Sequence, residues 1–143
     1  MLNKLSEATG NRLSVEELKQ YQVFTEVPLV VNAEGGFMKA DIVLLKASSD
    51  GEIIDVIVIE NKLSKTTEFT ARQKEGFYAI AKSKDGCEMT VHYTVKCEGV
   101  ELSKGQTIKI GKDKIYRIHD HGESNGPIEI EKITDRIVNV KTH

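Results

Sequence analysis

The strongest apolar pattern in the chain ends in charge. From Ile53 to Ile59 the residues Val56, Ile57, Val58 and Ile59 leave no polar face, and Glu60-Asn61-Lys62 closes the run. A strand that is apolar on both faces belongs in the middle of a sheet. A shorter apolar run, Ile42 to Leu45, opens at Asp41. Between the two lies Ser48-Ser49-Asp50-Gly51, which reads as a hairpin turn because Ser and Asp bond locally to the backbone and Gly accepts positive φ. Two adjacent strands would therefore present Asp41, Glu60 and Lys62 at their ends. With a side-chain period of two, Glu60 and Lys62 share a face.

Upstream, residues 1–12 read as a loose lead-in that ends in turn chemistry at Thr9-Gly10-Asn11. Ser14-Val15-Glu16-Glu17 fits a capping box, and Val15, Leu18 and Tyr21 mark one face of a helix ending near Gln22. Val23 to Val31 reads as a strand, with Val23, Val27, Leu29 and Val31 on one face and Phe24, Glu26, Pro28 and Val30 on the other. Pro28 has no amide to donate, so this strand belongs at an edge or a bulge. Asn32 to Gly36 is the turn into the Asp41 strand. Three strands joined by short polar turns make an antiparallel meander.

Downstream, Leu63 to Glu68 reads as a connection and Phe69 to Lys82 as a helix. At 100° per residue Phe69, Gly76, Phe77 and Ile80 form one stripe, Gln73 falls inside it, and Lys74, Glu75 and Lys82 lie off it. A turn over Ser83 to Gly86 leads to a strand from Met89 to Cys97, expected to join the first three. Beyond Gly99 the pattern is irregular. Thr107 to Ile110, Ile115 to His119, Ile128 to Ile133 and Arg136 to Val140 read as short strands in hairpins beside the core. The expected fold class is α/β: a core over about 14–97 and a β-rich C-terminal extension over about 99–143.

Composition narrows this picture. A chain of 143 residues with 39% hydrophobic and 29% charged content suits a single domain, 1–143, large enough to bury a core. The formal net charge of -2 argues against a wholly basic nucleic-acid coat but leaves room for a local basic groove. No apolar run reaches the length of a membrane span, and the residues after Met1 lack the apolar core of a signal peptide. Cys87 and Cys97 are the only cysteines; a disulfide between them is possible, and two unlinked thiols are favoured in a domain of this size. The glycines are too widely spaced for a phosphate-binding loop.

Glu-x-Lys occurs twice, as Glu17-Leu18-Lys19 and as Glu60-Asn61-Lys62, which composition alone predicts. Position separates them. The second closes the most apolar strand, follows a strand begun by Asp41, and precedes a helix with an inward Gln73. A bland alternative makes Asp41 a strand start beside a turn and Glu60 and Lys62 an exposed ion pair, which would contribute little stability. That alternative leaves unexplained why charges close both buried strands.

This stretch resembles the PD-(D/E)XK nuclease superfamily, a restriction-endonuclease-like core of helix, three-strand meander, helix and strand with an Asp on one strand and Glu-x-Lys on the next. The resemblance covers about Ser14 to Cys97, with Ala40 standing where the family commonly has proline. The wider phrase Thr25-Glu26-Val27-Pro28-Leu29, Ala40-Asp41-Ile42-Val43 and Ile59-Glu60-Asn61-Lys62-Leu63-Ser64 also looks like the C-terminal nuclease toxin domains of contact-dependent inhibition and related polymorphic toxin systems. The resemblance implies an endonuclease that hydrolyses phosphodiester bonds with a divalent metal, Mg²⁺ first and Mn²⁺ or Zn²⁺ as alternatives. It implies Asp41 and Glu60 as metal ligands, the Asn61 carbonyl as a further donor, and Lys62 as the cation that meets the attacking water or the phosphate. The implied partners are DNA or tRNA as substrate and a cognate immunity protein. The implied setting is a larger secreted toxin acting in the target-cell cytoplasm.

Other residues carry two readings each. Glu26 is either a third acidic member or a solvent-facing edge residue. Gln73 matches a Gln that several branches carry on this helix, and Thr70-Ala71-Arg72-Gln73 is equally a capping box. Phe77 stands where some branches have Tyr. Lys65 and Arg72, nearest the motif, are candidate phosphate contacts. His119-Asp120-His121 is read as a solvated loop rather than a metal pair, and His92 as a packed histidine. The competing class is a non-catalytic binding module on the same scaffold. An immunity-type partner is a third reading, to which the mild charge lends little support.

Overall fold

The computed structural model describes residues 2–62, 69–119 and 129–134. It is a mixed α/β fold, rich in strand, whose central sheet has five strands of mixed direction. Strands β1 (Gln22–Val30), β2 (Phe37–Ala47) and β3 (Ile53–Asn61) form the expected antiparallel meander. The turns between them are as read: Gly51 has φ of 86°, and its amide donates to the Ser48 carbonyl at 2.9 Å. β3 is the middle strand. Its side chains alternate between two cores, Val56 and Val58 in one, Ile57 and Ile59 in the other.

One core lies between the sheet and a single turn of helix plus a helix the sequence reading missed. Residues 1–12 are not a loose lead-in: Leu2–Ala8 is helix α1, and Leu2, Leu5 and Ala8 recur every three residues along its inner side. The capping box at Ser14 forms as expected, but its helix α2 covers only Val15–Leu18, because the chain enters β1 at Gln22. Leu5, Leu18 and Tyr21 close over Leu44, Ile57, Ile59 and Tyr116. Fully burying a side chain such as Leu5 stabilises by about 1.5–3 kcal/mol.

The other core lies under helix α3 (Ala71–Ala81), which presents Gln73, Gly76, Phe77 and Ile80 inward as the stripe predicts. Gly76 is where helix and sheet meet. A Cβ there would lie 2.6 Å from Met38 Sδ and 2.9 Å from Val31 Cγ1, so only glycine permits this approach.

Two expectations about strands are corrected. The segment Met89–Cys97 is not one strand beside the meander. It is split into β4 (Cys87–Thr90) and β5 (Val95–Cys97), because the His92 amide donates to the Pro28 carbonyl at 2.8 Å and turns the chain away. β5 pairs with β6 (Val100–Leu102) and β4 with β7 (Thr107–Ile110), in two small sheets outside the central one. The strand that lies beside β3, parallel to it, is β8 (Ile115–His119), from the segment expected to be peripheral; β9 (Glu129–Lys132) follows at the far edge. The division into a core and an extension near residue 98 therefore does not describe the sheet. Arg136 to Val140, Ile128 and the connection 63–68 lie outside the described residues.

The second correction concerns β1 and β2. Strict alternation puts Val23 inside, yet Val23 is 41% exposed, and Phe24 shares a core with Val27 and Leu29. On β2, Ala40 and Val43 likewise share that core. Both strands change face at the same place while their register holds, Thr25 against Ile42 and Val27 against Ala40. The residues skipped over are Glu26, with φ of 52°, and Asp41. A non-glycine residue in that region is a local strain, and here it turns the ribbon over next to Asp41. β1 is an edge strand, as Pro28 requires. No helix among the described residues is long and apolar enough to cross a membrane.

Candidate active site

Regular pairing between β2 and β3 stops at Ile42 and Ile59. Past that point carboxylates replace carbonyls. The Asp41 amide donates to Glu60 Oε1 at 3.0 Å, and the Asn61 amide donates to Asp41 Oδ2 at 2.9 Å. Backbone amides that lose a ladder partner must find another acceptor, and here each strand supplies one to the other. Asp41 and Glu60 are thereby fixed side by side, one half-buried and the other fully buried. An exposed ion pair at a strand exit does not describe this arrangement, since Glu60 is 0% exposed.

Gln73 closes the capping box and also bonds to Lys62 and Glu60. Its Oε1 accepts from the Thr70 amide at 2.9 Å, and its own amide donates to Thr70 Oγ1 at 3.2 Å, which is the complete capping box. The same Oε1 accepts from Lys62 Nζ at 2.8 Å, and Nε2 donates to Glu60 Oε2 at 2.7 Å. The amide orientation follows from chemistry, because only the oxygen can face the ammonium and only the NH₂ can face the carboxylate. A chain of bonds thus runs from Lys62 through Gln73 and Glu60 to the backbone of Asp41.

Burial pushes the Glu60 carboxyl up to about 8, and the neighbouring Asp41 carboxylate adds to the rise; the Asp41 amide and the Lys62 ammonium pull the other way. Near neutral pH Glu60 is therefore poised between its acid and its anion. Desolvation and a like charge nearby act in the same direction, a combination concentrated at functional sites.

The donors present suit a hard cation. Asp41, Glu60 and the Asn61 carbonyl offer oxygen only, and Mg²⁺ or Mn²⁺ takes one or two carboxylates and completes its shell with water and substrate oxygens. Zn²⁺ sites use three or four protein ligands rich in His and Cys. Among the described residues no group of three or more His, Cys, Asp or Glu could hold a metal.

The remaining candidates are distributed as follows. Glu26 faces Asp41 across the β1–β2 pair, but its side chain is exposed and stands apart from the chain of bonds around Glu60. Arg72 lies at the exposed start of α3, its guanidinium 3.3 Å from Glu75 and packed over Gly36. Lys65 lies outside the described residues, as do Ser64, Asp120 and His121. His119 is not in a solvated loop: it ends β8 in a buried position, 3.6 Å from Glu129. His92 is packed as expected, stacked on Phe37 with ring centroids 4.4 Å apart, and both cysteines are free thiols. Sequence reading missed Arg117, which is 2% exposed and in register with Glu60, and it missed the Phe69 ring on which Arg117 and Lys62 both rest. The signal available was a lone Arg inside the apolar run Ile115-Tyr116-Arg117-Ile118.

Comparison of the chain with protein-family models, with curated proteins and with solved structures returns no match.

Proposed function

We propose that the chain is a metal-dependent endonuclease of the PD-(D/E)XK kind, acting on DNA or tRNA as a toxin domain of a contact-dependent inhibition system with a cognate immunity protein. The observation that carries the reading is the bonded set of Asp41, Glu60, Gln73 and Lys62 at the split between β2 and β3. The order of elements supports it: a helix, an antiparallel meander, helix α3 and a strand parallel to β3, with the two small sheets inserted before that strand.

In this reading Asp41, Glu60 and the Asn61 carbonyl hold the cation. Mg²⁺, when bound, supplies Lewis-acid stabilisation of phosphate oxygens and lowers the pKa of water. Lys62 keeps a positive charge beside the carboxylates and offers it to the phosphate or to the attacking water. Gln73 fixes both, since losing its amide would release Lys62 and leave one Glu60 oxygen unbonded in a buried place. The strand split orients Asp41 through the Asn61 amide.

Purified protein incubated with supercoiled plasmid and with total tRNA, with and without Mg²⁺, tests the reading. Cleavage of either polymer that requires the metal and disappears in Lys62→Met supports it. Intact polymers with folded protein favour the non-catalytic binding module.

A further inference from the structure

We infer that Arg117 is a positioning residue of this site, holding the Phe69 ring as the seat of Lys62. Its role in catalysis rests on the nuclease reading above; its effect on the place of Lys62 does not. Arg117 sits on β8 with Glu60 of β3 in register on one side and Glu131 of β9 on the other. Val58 on β3 and Ile115 on β8, each two residues before Glu60 and Arg117, are in the core beneath α3, as is Ile133 just past the end of β9, so this row of Glu, Arg and Glu faces α3. The guanidinium carbon lies 4.4 Å from the Phe69 ring centroid, and Lys62 Nζ lies 5.4 Å from the same centroid. Phe77 braces the ring edge-on at 5.1 Å.

A charge buried to this degree is costly unless it is compensated; Glu131 stands in register with it on the next strand, and the Phe69 face lies against the guanidinium. As a mere filler of space an apolar side chain would serve better. A planar guanidinium does something an apolar residue cannot: it stacks on an aromatic face and keeps that face in one orientation. Lys62 is a flexible stem with one hydrogen bond to Gln73 and one ring beneath it. Without a fixed ring the ammonium swings about the Gln73 oxygen. A displacement on the order of 1 Å at a reacting group costs up to about 100-fold in rate.

The test uses Arg117→Lys, which keeps the buried charge but not the planar stack, and Phe69→Leu, which removes the ring and keeps Arg117. Two readouts are taken on the full chain: the ring-current shift of the Lys62 Hε protons by NMR, and steady-state cleavage in Mg²⁺ resolved into kcat and KM. In the expected result both variants return the Lys62 protons toward the position of an unstacked lysine. Both lower kcat about 10-fold or more with KM within about twofold, and the double variant is no worse than Phe69→Leu. Wild-type Lys62 resonances and kcat in a folded Arg117→Lys overturn the inference, and so does a loss in Arg117→Lys that Phe69→Leu does not share. Should Arg117→Lys fail to fold, Arg117→Met, which fills the same space without charge or plane, takes its place, and wild-type Lys62 resonances there overturn the inference. A wild-type protein that cuts neither polymer defeats the nuclease reading, while the Lys62 resonances still decide the positioning role.

Discussion

The Gln73 side-chain amide donates to Glu60 at 2.7 Å, and in doing so it ties the first turn of α3 to the last residues of β3. One residue thus caps a helix and bridges an acid to a lysine. The two functions separate by substitution. Gln73→Ala removes the cap partner and leaves a Glu60 oxygen without its donor, so stability falls by about 1–3 kcal/mol in urea denaturation. Gln73→Glu keeps an acceptor for the Thr70 amide and for Lys62 but sets a carboxylate against Glu60. Its stability matches the wild type in acid, where the two carboxyls share a proton, and falls below it at pH 8. A pH-independent loss in Gln73→Glu would contradict the bridging geometry.

Glu60 predicts a pH dependence of stability. Its carboxyl is raised by burial from the ordinary value of 4.5 to about 8 in the folded chain. Between those values the folded state retains a proton that the unfolded state has lost, so more protons are bound when folded, and stability declines as pH rises. The contribution is complete below 4.5 and gone above about 8. Denaturation of metal-free wild type against Glu60→Gln across this window should show the wild type alone losing stability. Parallel curves would mean that Glu60 is ionised throughout.

Helix α1 predicts a large effect from a residue in the supposed lead-in. Leu5 is 0% exposed against Ile57 and Tyr116. Leu5→Ala should cost about 2–5 kcal/mol, the range for emptying a buried leucine site. A change within about 0.5 kcal/mol would mean that α1 is not docked.

Gly76 makes a prediction against helix propensity. Replacing glycine by alanine inside a helix gains about 1 kcal/mol, yet the new Cβ would lie within 3 Å of Met38 and Val31. Overpacking costs about 1–3 kcal/mol, so Gly76→Ala should lower the Tm. A rise would show that α3 can shift without loss.

What could be read from residues alone follows the strength of the local signal. The meander was legible because β3 is apolar on both faces and because its turns carry Gly and Asp. α3 was legible because Phe77 and Ile80 repeat at helical spacing. α1 was not, since Leu2 and Leu5 in so short a segment make no period until β3 and β8 supply the surface they cover. The place of β8 beside β3 is a long-range pairing across more than 50 residues, and nothing local in Ile115–His119 encodes a parallel partner. The face change at Glu26 and Asp41 was hidden for a related reason: alternation assumes an unbroken ladder, and the break lies where the carboxylates take over the hydrogen bonds. Asp41, Glu60, Lys62 and Gln73 stand out in the sequence singly, and only the fold bonds them into one set.

The central claim is that Asp41 and Glu60 share one divalent cation. Calorimetric titration of the metal-free protein with Mn²⁺, a hard cation that substitutes for Mg²⁺, measures this directly when run beside Asp41→Asn, Glu60→Gln and Glu26→Gln. The account predicts a single site in the wild type and in Glu26→Gln, lost in both of the other variants while their folds persist, with affinity rising as pH passes through about 8, where Glu60 gives up its proton. Binding that survives the loss of either Asp41 or Glu60, or no binding to the wild type at all, would contradict it.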